Sequence, residues 1–223
     1  MNQPVFITGA ERSGSSLIAR ILKMCDAFTG TISSRYENYL INDIMERFLA
    51  ENQNGLFPDP SLLDIPVNWW DRIQTLLDGE EYKDGVWLLK SAKLAQMWTV
   101  WHYAYPNAYW LIVRRRTADV IDSCCKTGFM ETFKNGNNIA HVGASTEKEG
   151  WLWWVHQYEK QFVKMIETGL NCKIVWPERM IYGDYQQIWQ TIDWLGLKWN
   201  DDIIPTIDPI LSKTRRKLDD KRR

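Results

Sequence analysis

Four short, nearly continuous apolar runs recur along the chain: PVFIT (Pro4–Thr8), VWLLK (Val86–Lys90), YWLIV (Tyr109–Val113) and CKIVW (Cys172–Trp176). Runs of this length without alternation mark strands covered on both faces, as in a parallel sheet. Between them the apolar positions switch to helical spacing. Leu17, Ile18, Ile21 and Leu22 predict a helix from Ser15, and Arg35 to Asn52 reads as a second. Pro58, Pro60 and Pro66 break the chain before a third helix starting near Val67. Ala92 to Tyr103 suits a crossover helix, and another runs from Thr117 to about Thr127. Thr146-x-x-Glu149 is a capping box for a long helix through Glu167, on which Trp151, Trp154 and Tyr158 share a core-facing side. Asp184-x-x-Gln187 is read as the cap of a final helix ending at Gly196. The segment Gly128–Ser145, rich in Gly and Asn and without a period, reads as a long loop that serves as a lid or binding element.

Strands alternating with helices imply an α/β fold of three layers, a central parallel sheet with helices on both faces. Its ligands are expected at the carboxyl ends of the strands. A length of 223 residues fits one domain, taken as 1–211, with a basic tail at 212–223.

Composition narrows the class. A 45% hydrophobic content supports a substantial core, and a net charge of −1 argues against a surface built for nucleic acid. Basic residues nevertheless cluster at Arg114-Arg115-Arg116 and in the tail SKTRRKLDDKRR. Cys25, Cys124, Cys125 and Cys172 show no metal-ligand spacing and read as reduced thiols of a cytoplasmic protein. No apolar run is long enough to span a bilayer, and Met1, three residues before the first strand, leaves no room for a signal peptide.

The candidate chemistry begins at GAERSGSS (Gly9–Ser16), between the first strand and the first helix. It matches the phosphate-loop pattern G-x-x-x-x-G-K-[ST] at Gly9, Gly14 and Ser16 but places Ser15 where lysine belongs. Backbone N–H groups from Ser13 to Ser16 would converge on an anion at the helix N-terminus. Arg12 supplies a cation inside the loop, and a guanidinium can hold two oxygens of a phosphate or sulfate. Without the lysine that grips a γ-phosphate, a donor with a shorter anionic chain and no metal requirement fits better.

In this respect the chain resembles the sulfotransferases that use 3′-phosphoadenosine 5′-phosphosulfate (PAPS) and release PAP. GAERSGSS looks like the family's 5′-phosphosulfate loop, in the arginine-bearing form of carbohydrate and tyrosylprotein sulfotransferases. RRTADVIDS (Arg115–Ser123) resembles the 3′-phosphate signature R-x-P-x-D-V-x-x-S, with Thr117 at the proline position, where it could cap the helix. VWPERMIYGDYQQIWQTIDWLGL resembles the family's late strand, acidic turn and helix more weakly.

The resemblance implies a P-loop-like fold and the cofactor-binding set Arg12, Ser13, Gly14, Ser15, Ser16, Arg115 and Ser123. Arg12 would stabilise charge on the leaving phosphate, Glu37 would take the acceptor's proton, and Lys90 would face the sulfate. His141 is the alternative base, whereas His102 reads as structural. Arg114 and Arg116 point elsewhere along the strand end, and Asp119 favours the first turn of its helix. The tail reads as a solvated end, as a binder of acidic partners or, through Lys213 and Arg215, as a cover over the donor. The acceptor is a small molecule, carbohydrate or peptide. Two other readings remain open: a P-loop small-molecule kinase, and a non-catalytic nucleotide-binding module.

Overall fold

The computed structural model describes residues 3–52 and 55–220. Its four strands, β1 (Gln3–Thr8), β2 (Val86–Lys90), β3 (Tyr109–Val113) and β4 (Cys172–Val175), form one parallel sheet in the order β2-β1-β3-β4. Val5 pairs with Tyr109 and Thr8 with Ile112, while Ile7 pairs with Lys90, so the loops leaving β1, β2 and β3 emerge at one edge. This bears out the α/β expectation.

Because side chains alternate along a strand, the sheet feeds two cores. Val5, Ile7, Leu88, Leu111 and Val113 face one side, against α1 (Ser15–Met24). Phe6, Trp87, Leu89, Trp110 and Ile112 face the other, against α2 (Tyr39–Glu51), α3 (Trp69–Gly79), α4 (Trp98–Ala104) and α5 (Thr117–Lys126). After α6 (Gly136–His141), the long α7 (Glu147–Glu167) covers the second face. Then α8 (Glu178–Ile181), α9 (Gln186–Trp194) and α10 (Ile203–Asp220) return to the first.

Several boundaries differ from expectation for local reasons. The second helix begins at Tyr39, not Arg35, because Asn38 accepts from Ile41 N–H as its N-cap. Residues 32–38 instead form a tight turn in which Ser33 N–H donates to Glu37 O, with Tyr36 at φ 63°. The crossover after β2 opens as a 3₁₀ turn, Ala92–Gln96, because Ser91 accepts from Lys93 N–H there. Gly128–Ser145 contains a 3₁₀ turn at Thr132–Lys134 and then α6, started by Asn135 accepting from Asn137 N–H.

Three expected caps also change. Thr117 occupies the first helical position, where proline would sit, and no side chain caps that end. Gln187 does not close a capping box at α9; its side chain joins Trp176 N–H and Ile174 O. Glu149 reaches back to Ser145 N–H, while Thr146 caps α7 as expected. The boundary expected at 211/212 falls inside α10, residues 221–223 lie outside the described residues, and nothing is described of the Lys213 side chain.

Phe6, fully buried, meets Trp87, Trp101, Tyr105 and Trp110 edge-on, with ring centroids 4.9–5.8 Å away. Truncating a buried aromatic at such a hub costs about 3–5 kcal/mol. Phe6→Ala should therefore lower the melting temperature by about 6–20 °C. Tyr103→Ala, at an exposed position, should leave it nearly unchanged, and thermal unfolding followed by circular dichroism measures both.

Candidate anion-binding site

Where β1 ends, Gly9 comes so close to β3 that a side-chain carbon there would lie 2.4 Å from Val113 O and 2.5 Å from Ser13 Oγ. Only glycine fits. The loop then turns through Arg12 at φ 68° and Gly14 at φ 96° before α1 begins. Gly14 is the N-cap residue, and no side chain caps this end. The N–H groups of Gly14, Ser15 and Ser16 donate to no group among the described residues. Unsatisfied donors at a helix N-terminus are the physical basis of an anion site.

Ser13 does not join this set. Its N–H donates to Ala10 O at 3.1 Å, closing the turn, and its hydroxyl is buried beneath the loop without a partner. Ser16 Oγ donates to Arg35 O at 3.0 Å, which ties the helix start to the 32–38 turn.

A cavity of about 390 Å³ opens over the loop. Arg12, Gly14, Ser15, Ser16, Glu37, Lys90 and Arg115 all line it, so residues far apart in the chain meet at one sheet edge. Arg12 Nε donates to Ser123 Oγ at 3.0 Å, and Arg115 Nη1 donates to Arg12 O at 3.3 Å. These two bonds join the turn after β1 to α5 and to the turn after β3. Arg115 also pairs with Glu178 of α8, Nε to Oε1 3.5 Å. Ser123 itself is not on the cavity wall.

Lys90 and Glu37 form an ion pair at 2.8 Å, with Lys90 only 7% exposed and Glu37 24%. Glu37 thus belongs to the turn before α2 rather than to the helix itself. The remaining sequence candidates lie elsewhere. His141 is exposed at the end of α6 and is absent from the cavity wall. His102 is half-buried in α4, its Nδ1 without a partner. Arg114 turns to Glu159 and lies over Trp176, and Arg116 pairs with Asp119. In α10, Leu211 and Thr214 line the cavity, while Arg215 Nε donates to Ile181 O at 2.5 Å.

Two charged wall residues, Arg35 and Glu11, were not anticipated. Arg35 lies over Phe129 of the 128–145 segment, 3.9 Å from the ring centroid. Glu11, next to Arg12, accepts from Trp154 Nε1 at 2.7 Å and from Tyr158 Oη at 3.0 Å. Glu11 keeps part of its surface open to the cavity and is enclosed by protein elsewhere. This desolvation lifts its carboxyl above the ordinary 4.5, against the opposing pull of both hydrogen bonds. Burial likewise raises the Tyr158 hydroxyl, and the neighbouring Glu11 raises it further. Nothing local in the sequence marked Glu11, because both its partners sit far along the chain in α7.

Among the described residues no three metal-ligating side chains gather, and no helix is long and apolar enough to cross a membrane. The chain matches no protein-family model and no curated protein. Solved structures of sulfotransferases share its fold. The sulfotransferase domain from the curacin biosynthetic pathway is 14% identical, over 92% of this chain and 77% of that one, with a TM-score of 0.59. Sulfotransferase STF9 from Mycobacterium avium is 10% identical, over 95% of this chain and 68% of that one, with a TM-score of 0.55.

The raised Glu11 carboxyl has a consequence for stability. A carboxyl whose pKa is higher folded than unfolded holds more protons in the native state, so stability falls as pH rises through that window. Glu11→Gln cannot ionise, so its melting temperature should gain on that of the wild type as pH rises from 4.5 towards 7. That gain should vanish as pH drops below 4.5, as melting curves of both proteins across pH would show.

Proposed function

We propose that this chain is a PAPS-dependent sulfotransferase that transfers a sulfuryl group in line to a hydroxyl or amine acceptor. The observation that carries the reading is the joining of the loop after β1 to the elements after β3: Arg12 shares a hydrogen bond with Ser123 of α5, and Arg115 reaches the Arg12 carbonyl. Free N–H groups at the start of α1, several cations, and an apolar wall of Leu17, Ile181 and Leu211 fit a nucleotide with two anionic ends. The shared fold with known sulfotransferases is consistent with this assignment.

When bound, PAPS supplies a sulfuryl group already attached to a good leaving phosphate. The chain's residues supply the rest. Gly14, Ser15 and Ser16 would hold the 5′-phosphosulfate by their N–H groups, and Arg115 with Ser123 would hold the 3′-phosphate. Arg12 would offset charge gathering on the leaving group. Glu37 would accept the acceptor's proton, with Lys90 orienting its carboxylate through their ion pair. The acceptor, a small molecule, carbohydrate or peptide, would enter beside Phe129 and Met130. Four free cysteines suit a cytoplasmic setting.

Calorimetric melting tests the donor assignment. PAP at a hundredfold excess over its Kd should raise the melting temperature by roughly 5–10 °C. AMP, lacking the 3′-phosphate, should do much less, and equal stabilisation would reject the site at Arg115 and Ser123. With an acceptor found by screening labelled PAPS, Arg12→Ala and Glu37→Gln should each lower turnover about 10²-fold or more. PAP affinity should change far less in both variants. Losing PAP binding while keeping turnover per bound donor would reject their catalytic roles.

A further inference from the structure

Glu11 is an unexpected neighbour for an anion site. Its carboxylate lines the cavity, yet among the described residues no cation forms an ion pair with it: Lys93 acts on it only from a distance, and its two side-chain hydrogen bonds come from neutral donors in α7. One of those donors, Tyr158, accepts in turn from Gln96 Nε2 at 2.9 Å, in the 3₁₀ turn after β2. The other, Trp154, packs edge-on against Phe133 in the 128–145 segment, with centroids 6.2 Å apart. Three regions around the cavity therefore converge on one side chain.

The residue that follows is Arg12, held at φ 68°. A non-glycine residue in the left-handed region is strained and persists only where its surroundings fix it. The loop's internal bond from Ser13 N–H to Ala10 O closes the turn around Glu11 and Arg12, and the Glu11 side chain is the anchor of that turn to α7. A carboxylate is suited to this task, because its two oxygens accept from two separate donors at once.

We propose that Glu11 is a positioning residue. Gripped by Trp154 and Tyr158, it holds the loop backbone in the conformation that aims Arg12 and the free N–H groups of Gly14–Ser16 at the anion. The 128–145 segment is coupled to that conformation through Trp154. This inference rests on the reading of the loop as the donor's phosphosulfate site.

The test is isothermal titration of PAP into wild type, Glu11→Ala, Glu11→Gln and Tyr158→Phe at a temperature where each is folded by circular dichroism. Hydrogen bonds to a charged group are strong enough that Glu11→Ala should weaken PAP binding about tenfold or more. Glu11→Gln, whose amide oxygen still accepts from Trp154 while the Tyr158 hydroxyl loses its acceptor, should recover part of that affinity. Tyr158→Phe should lose about threefold, and adding it to Glu11→Ala should cause little further loss, because both break one network. A residue serving stability alone would lower the melting temperature and leave PAP affinity of the folded protein unchanged. That outcome in Glu11→Ala overturns the inference, as does failure of Glu11→Gln to recover affinity. Should Glu11→Ala not fold, unaltered affinity in Tyr158→Phe overturns it. Absence of PAP binding by the wild type instead overturns the sulfotransferase reading, and the role of Glu11 with it.

Discussion

The close approach of Gly9 to the Val113 carbonyl is the constraint on which the site depends. Parallel pairing of β1 with β3 brings the two strand ends side by side, and a side chain at position 9 would collide with both Val113 and Ser13. With glycine there, the turn after β1 lies against the turn after β3, near enough for Arg12 to reach Ser123 and for Arg115 to reach Arg12. The same sheet edge receives Lys90 from β2, which draws Glu37 to the cavity. Fold and site are thus one geometric fact: a central β1 flanked by β2 and β3, all running the same way.

Electrostatics explains how an altered phosphate loop can still suit an anion. Backbone donors at the start of α1 do not depend on which side chains carry them, so replacing the lysine by Ser15 leaves the amide cradle in place. Positive charge comes from other directions instead, with Arg12 in the loop, Arg115 at the next strand end and Arg35 across the cavity. Two carboxylates moderate it. Glu37 is held by Lys90 and Arg115 by Glu178, whereas the hydrogen bonds that hold the Glu11 side chain come from neutral donors. Under the proposed function, this unequal distribution would offer separate positions for a donor's anionic groups and for an acceptor's proton.

The layered architecture was legible because parallel strands need apolar residues on both faces, and VWLLK and YWLIV form strands with the same limits that their apolar runs mark. The glycine-bearing turn between β1 and α1 was legible as a local pattern, whereas the groups that Gly9 and Arg12 meet, Val113 and Ser123, lie far along the chain. Helix starts were less so. Asn38 and Gln187 show why: a polar side chain can cap its own helix or bond a neighbouring strand, and only the packed fold decides between them. Glu11 was hidden by distance, because its partners Trp154 and Tyr158 lie 143 and 147 residues away. The interior of the 128–145 segment was obscured by composition, its short helix being too brief to show a period.

The most direct measurement is a crystal structure of this chain with PAP, collected alongside one with ATP and magnesium. The proposed function places the 5′-phosphate against the N–H groups of Gly14–Ser16 and the 3′-phosphate against Arg115 and Ser123. PAP seated away from either turn, or ATP with magnesium occupying the loop in its place, would contradict it.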